Sequence, residues 1–298
     1  MTKRQRGVLF TTLTILFLLL APTIILYSQG YRFDWETKKL FQTGGLYIKA
    51  TPSRADISVD GILTGKTDAL FGSALLGDLL PKTYRIRIEK EGYTSWEKTL
   101  EIKETLVTEA EHIILFPRRT GFSPVATNIS DAWLAPDEHS LLLWKNNSAV
   151  FFDPETKEEF LLCKEPVCAS QGLLPPAPSQ SLELEQVFEG AANFALSPDG
   201  ATLAFSKTNQ LWVYRVDEER ESLLLHAQST VRNIQWLTNY YLVWNTEKEI
   251  VATEIDTRDH ANSALLATFE NPEFLWHSQT KTLSVLSKNT FYLSEKFF

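Results

Sequence analysis

A chain of 298 residues that is 44% hydrophobic, with 8 Trp and 18 Phe, has the material for more than one core, and its length allows one to three domains. A formal net charge of -8 argues against nucleic acid or anionic membrane surfaces as partners of the folded part. Only 2 cysteines are present, which excludes a disulfide-dense scaffold and a multi-cysteine metal site.

Residues 1–6 carry the one dense basic cluster, Lys3-Arg4 and Arg6. Residues 7–27 then run without a charge. A helix of that length, at about 1.5 Å per residue, crosses a hydrocarbon core of about 30 Å. The basic flank places the N-terminus in the cytoplasm and the rest of the chain outside. The competing reading is a cleaved secretory signal. No clean small-x-small cleavage site follows the run, and no Cys suited to lipid attachment, so the expectation is an uncleaved signal-anchor in the cytoplasmic membrane. Residues 28–43 form a juxtamembrane link. Its Tyr31, Phe33 and Trp35 have the spacing of an interfacial aromatic belt, or else pack beneath the first domain.

Residues 44–117 alternate. Tyr84, Ile86 and Ile88 are interleaved with Arg85, Arg87 and Glu89, and Trp96, Lys98, Leu100 and Ile102 with Ser95, Glu97, Thr99 and Glu101. Period two marks half-buried strands with one wet face. Ile57 and Val59 lead into Asp60-Gly61, a two-residue hairpin turn, and Gly92-Tyr93 gives a second tight connection. The expected unit is a small antiparallel β-sandwich. Gly61 to Thr67 (G-I-L-T-G-K-T) imitates a phosphate-binding loop. It has three residues between its glycines instead of four and sits in a hairpin pattern, so no nucleotide is expected.

The order Pro52, Ala55, Ile57, Val59, Asp60, Gly61, Gly65, Thr67 and then Tyr84, Gly92, Tyr93 resembles the PEGA domain of bacterial surface proteins. The resemblance covers about a quarter of the chain. Ser53-Arg54 replace the Glu-Gly of the family, Asp68 stands where a Pro often follows the Thr, and Lys82 where a Gly often follows the Pro. These departures fall at turns. The resemblance implies an extracytoplasmic module without known chemistry, linked to envelope carbohydrate or to protein display.

From 120 to 298 the pattern becomes a repeat. Trp133-Leu-Ala-Pro-Asp137, Ala195-Leu-Ser-Pro-Asp-Gly200, Gln235-Trp-Leu-Thr-Asn239 and Leu275-Trp-His-Ser-Gln279 each precede a run of apolar residues. Leu196, Leu237 and His277 lie about 40 residues apart, the period of a propeller blade. A longer first interval holds the Pro-rich stretch 174–181, read as an exposed loop. The second repeat divides into strands at 193–196, 202–206, 210–214 and 222–226. The last repeat has three, and Phe122 to Ala126 is placed to supply its fourth and latch the ring. These repeats resemble those of periplasmic and WD-type propellers. The expected fold is therefore all-β apart from the anchor helix, a sandwich followed by a β-propeller-like domain of about four blades. An open array of sheets covered by a partner is the alternative.

No catalytic, cofactor or metal residue is expected. His112, His139, His226, His260 and His277 are scattered, and no Gly-x-Ser-x-Gly elbow occurs. Asp137 and Asp199 occupy equivalent turns and are read as turn formers. Cys163 and Cys168 are expected to close a local disulfide outside the membrane. Trp133, Trp236 and Trp276 are the candidate stacking surfaces for a sugar, with core packing as the plainer reading of each. The function expected is a non-enzymatic binding and display protein of the bacterial envelope with a protein or glycan partner. An envelope glycan hydrolase or lyase with its site in the propeller channel, and a structural stalk in a larger assembly, are the alternatives.

Overall fold

The computed structural model describes residues 3–35, 37–134, 140–153, 156–164 and 188–298. Asp137, His139, Cys168 and the stretch 174–181 lie outside the described residues. The chain forms two units, residues 1–89 with 97–114, and residues 90–96 with 115–298.

The first unit opens with α1 (Lys3–Ser28). Its segment Gln5–Ser28 is apolar and long enough to cross a membrane, and none of it is buried against the rest of the chain. Its threonines do not interrupt the apolar surface. Thr11, Thr12, Thr14 and Thr23 donate their hydroxyls to the carbonyls one turn back, at 3.0, 2.9, 2.9 and 2.9 Å, which removes the unpaired donor that an apolar surrounding would penalise. A two-stranded hairpin follows, β1 (Tyr31–Asp34) with β2 (Lys39–Gln42).

Seven strands then build the sandwich. β3 (Gly44–Thr51), β6 (Ser73–Leu79) and β9 (Val107–Ile114) form one sheet in the order β6-β3-β9. β4 (Asp56–Val59), β5 (Ile62–Lys66), β7 (Thr83–Glu89) and β8 (Trp96–Glu101) form the other in the order β5-β4-β7-β8. The alternation read from the sequence is the burial pattern. Tyr84, Ile86 and Ile88 are inside, as are Ile57 and Val59, and on the other sheet's strands Leu46, Ile48, Ala50, Ala110 and Ile113 are buried as well. Asp60 and Gly61 both have positive φ (50° and 80°), the backbone that a two-residue hairpin turn of this hand requires. The carboxylate of Asp60 accepts from the Arg85 amide at 2.9 Å and fixes that turn to the neighbouring strand. Gly61 to Thr67 is thus a turn running into strand β5, where a phosphate-binding loop would run into a helix. One pairing is not antiparallel: β3 and β9 run parallel. The whole second sheet lies between them in sequence, and that long crossover brings the chain back in the same direction.

Among its described residues, the second unit holds four four-stranded sheets. Their strands are β10 (Phe122–Thr127), β11 (Ile129–Leu134), β12 (Leu141–Lys145), β13 (Ser148–Phe152), β14 (Glu159–Lys164), β15 (Ala192–Leu196), β16 (Thr202–Lys207), β17 (Gln210–Arg215), β18 (Arg220–His226), β19 (Asn233–Thr238), β20 (Tyr241–Asn245), β21 (Glu249–Glu254), β22 (Ser263–Thr268), β23 (Glu273–His277), β24 (Thr282–Ser287) and β25 (Thr290–Ser294). Three sheets take their strands consecutively. The fourth has the order β10-β25-β24-β23, with Phe122 opposite Ser294, so the segment entering the unit completes its last blade.

Blades are held face to face by apolar side chains. Leu203 and Phe205 point to one side of the second sheet and Ala204 to the other, and all three are buried. Continuous apolar runs such as Thr202-Leu-Ala-Phe205 suit a sheet covered on both faces. Ala204, Leu211, Val213 and Leu224 of the second sheet pack with Ile234, Trp236, Leu242 and Trp244 of the third. Leu286 and Phe291 of the fourth pack with Leu141, Leu143, Val150 and Phe152 of the first, the rings of Phe152 and Phe291 meeting edge to face at 5.9 Å.

Candidate functional site

The first strand of each blade carries a polar residue within its first three positions. Asn193, Asn233 and Glu273 recur at a constant interval, and the Pro-Asp turns align Asp131 with them. Two of these residues serve the seams between blades. Asn193 donates its amide to the Val231 carbonyl at 3.0 Å and to the Ser206 hydroxyl at 2.9 Å. Asn233 donates to the Phe274 carbonyl at 3.4 Å. Next to it, Gln235 donates to the same carbonyl at 2.9 Å and accepts from the Trp276 amide at 2.9 Å.

Asp131 and Glu273 are the carboxylates of the series. The Ala132 amide donates to Asp131 Oδ1 at 2.8 Å. Glu273 stands at a cavity of about 220 Å³ whose lining comes from three first strands, with Ala132 of β11, Asn233 of β19, and Glu273, Phe274 and Leu275 of β23. Ser284, Leu286 and Phe291 complete the lining. Glu273 remains exposed, and the partial loss of solvation that it does undergo pushes its carboxyl above the ordinary glutamate value, with the negative charge of Asp131 adding to the effect. The cavity thus combines apolar side chains with the Ser284 hydroxyl, the Asn233 amide and a carboxyl drawn toward its protonated form. Such a site can take a hydrogen-bond acceptor or a cation beside an apolar surface. Among the described residues, no three or more His, Cys, Asp or Glu side chains gather where a metal ion could be held.

The tryptophans singled out from the sequence are largely built into the blades. Trp236 is 9% exposed and donates its indole N–H to the Ala195 carbonyl at 2.9 Å, which ties the third blade to the second. Trp276 is 6% exposed and lies against Phe297 and Phe298, at ring distances of 6.0 and 6.1 Å. Trp133 is half-buried on β11. His277 is buried and its Nε2 meets the Ser284 hydroxyl at 2.7 Å. Asp199 holds its own turn: the Ser197 hydroxyl donates to it at 2.6 Å and the Ala201 amide at 3.1 Å, and these bonds keep its carboxyl below the usual aspartate value. Cys163 is buried on β14 against Ala149 and Trp144 and is disulfide-bonded, while Cys168 lies outside the described residues. Sequence reasoning missed Asp131 and Glu273. The signal that finds them is the shared register of Asn193, Asn233 and Glu273.

Residues 43–112 match the PEGA domain. The match covers the sandwich, and the four-bladed unit lies C-terminal to the PEGA domain. Solved structures similar to the chain include the β-propeller domain of Cps50 (Swd1) from Myceliophteria thermophila, 9% identical over 55% of this chain and 51% of that one, with a TM-score of 0.27. The WD40 domain of SCAP from fission yeast is 17% identical over 59% of this chain and 42% of that one, TM-score 0.27. Hsv2 of Kluyvelomyces marxianus is 8% identical over 56% of this chain and 51% of that one, TM-score 0.27. The chain spans about half the length of these structures. The four blades are read from the sheets themselves. The comparison with curated proteins found no match.

Proposed function

We propose that this protein is a membrane-anchored, extracytoplasmic binding and display protein of the bacterial envelope, without catalytic activity of its own. One observation carries the reading. An apolar helix that the other described residues leave uncovered is followed, after one short hairpin, by a PEGA domain. The helix is the anchor, with its basic N-terminal flank in the cytoplasm. The PEGA domain acts as spacer or adaptor, and the bladed unit offers the surface that meets a protein or a cell-envelope glycan. The test is co-sedimentation of the full chain, held in lipid nanodiscs, with purified peptidoglycan and envelope polysaccharide, with product release assayed in the same samples. Saturable binding without product is expected. Release of product overturns the reading.

A second reading has one observation behind it, the raised carboxyl of Glu273 at the cavity beside Asp131. It makes the bladed unit an envelope enzyme with Glu273 as a proton donor. It requires turnover that Glu273→Gln abolishes while the fold is kept.

A further inference from the structure

We propose that the β1–β2 hairpin is a second membrane contact, lying in the interfacial layer of the bilayer from which α1 emerges. The inference rests on the anchor reading of α1. In the register of the hairpin Phe33 faces Leu40 across the strands, so the two share one face, and Tyr31 lies on that face two residues before Phe33. Trp35 extends it at the tip, its ring edge-on to Phe33 at 4.9 Å. Among the described residues this face stays largely open: Tyr31 is half-buried, but Phe33 is 45% exposed, Leu40 48% and Trp35 83%. The other face carries Arg32, Asp34 and Lys39, with the half-buried Phe41 opposite Arg32. A two-stranded hairpin has no second layer in which to bury an apolar side, and alone in water it is only marginally stable.

The hairpin is nevertheless fixed in place. Its base is bonded to the two residues that join it to the helix, with the Thr43 amide donating to the Gly30 carbonyl at 2.9 Å and the Gln42 side-chain amide to the Gln29 carbonyl at 3.1 Å. Arg32 completes the clamp. Its guanidinium lies 3.7 Å from the centre of the Tyr27 ring, donates to the Tyr27 carbonyl at 2.9 Å, and pairs with Asp78 of β6 at 2.8 Å. The hairpin is thus held, by its Arg32 side, beside the end of an apolar helix that the other described residues leave uncovered. Whatever solvent covers the last turn of α1 also reaches Phe33, Trp35 and Leu40. Tryptophan and tyrosine favour the boundary between acyl chains and headgroups because one end of each ring is apolar and the other polar. The contact is apolar in nature, so it does not depend on anionic lipid and is compatible with the acidity of the chain.

The test uses the full chain reconstituted into zwitterionic phosphatidylcholine vesicles, with and without phospholipids brominated near the glycerol end of their acyl chains. Flotation first reports whether α1 holds the chain on the vesicle. Bromolipid is expected to quench part of the tryptophan emission, and Trp35→Phe is expected to remove the quenched part and leave flotation unchanged. Trp35 is mostly exposed, so the variant keeps its fold. If the chain floats but no emission is quenched, or Trp35→Phe is quenched as much as the natural chain, the hairpin contact is refuted and the anchor stands. If the natural chain does not float, both are refuted.

Discussion

The seam between the fourth and first blades can be tested by removing one ring. Phe291 is 1% exposed and packs with Leu141, Leu143, Val150 and Phe152. Phe291→Ala removes a buried phenyl group and enlarges a cavity whose lining it already forms. Substitutions of this kind cost about 3–5 kcal/mol, and the adjoining void favours the upper half because the site collapses poorly. Phe160 of β14 supplies the control. It is the same residue type but 54% exposed, and Phe160→Ala should cost less than about 0.5 kcal/mol. The assay is urea unfolding of the full chain in detergent, with the bladed unit followed by near-ultraviolet circular dichroism. A double-mutant cycle with Phe152→Ala should give a coupling of about 0.5–1.5 kcal/mol, the usual range for an edge-to-face pair. A loss at Phe291 no greater than that at Phe160, or a coupling of zero, would refute the packing of the completed last sheet on the first blade.

Other outcomes are expected. Gly72→Ala should destabilise the PEGA domain by about 1–3 kcal/mol, because Gly72 has φ of 65° and a Cβ there would meet the Ala50 carbonyl oxygen. Gly77→Ala, where a Cβ meets nothing, should have far less effect in the same thermal melt. The raised carboxyl of Glu273 means that the folded state holds its proton more tightly than the unfolded chain. Stability should therefore fall as pH rises from the ordinary glutamate value of 4.5 through the raised one. Urea midpoints measured across that window should fall less for Glu273→Gln than for the natural chain. Peptide mapping without reductant should recover Cys163 joined to Cys168, and free thiols on both would exclude that pairing.

Strand positions were legible where the local pattern was strict. Tyr84, Ile86 and Ile88 could be assigned inward because period two allows one buried face, and Asp60-Gly61 could be assigned as a turn because few residue pairs accept two positive φ angles. The pairing of Phe122 with Ser294 was also legible, because the last repeat was one strand short. The parallel run of β3 beside β9 was not, since it depends on where a long crossover returns. The hairpin after α1 was read as a link because its strands have only four residues each. The cavity was hidden for another reason. Asp131 and Glu273 are far apart in the chain, and only the stacking of blades brings the charge of Asp131 to bear on Glu273.

The shared sheet of β10 and β25 also bears on how the chain is made. The strand at 122–127 leaves the ribosome long before its hydrogen-bonding neighbour at 290–294 exists. Until then its edge is unpaired, and the face later packed by Phe291 remains open to other chains. A contact of such sequence separation makes folding slow. Loss of residues 290–294 would leave β10 without its neighbour at the opposite end of the unit, so damage at one terminus would be felt where the blades begin.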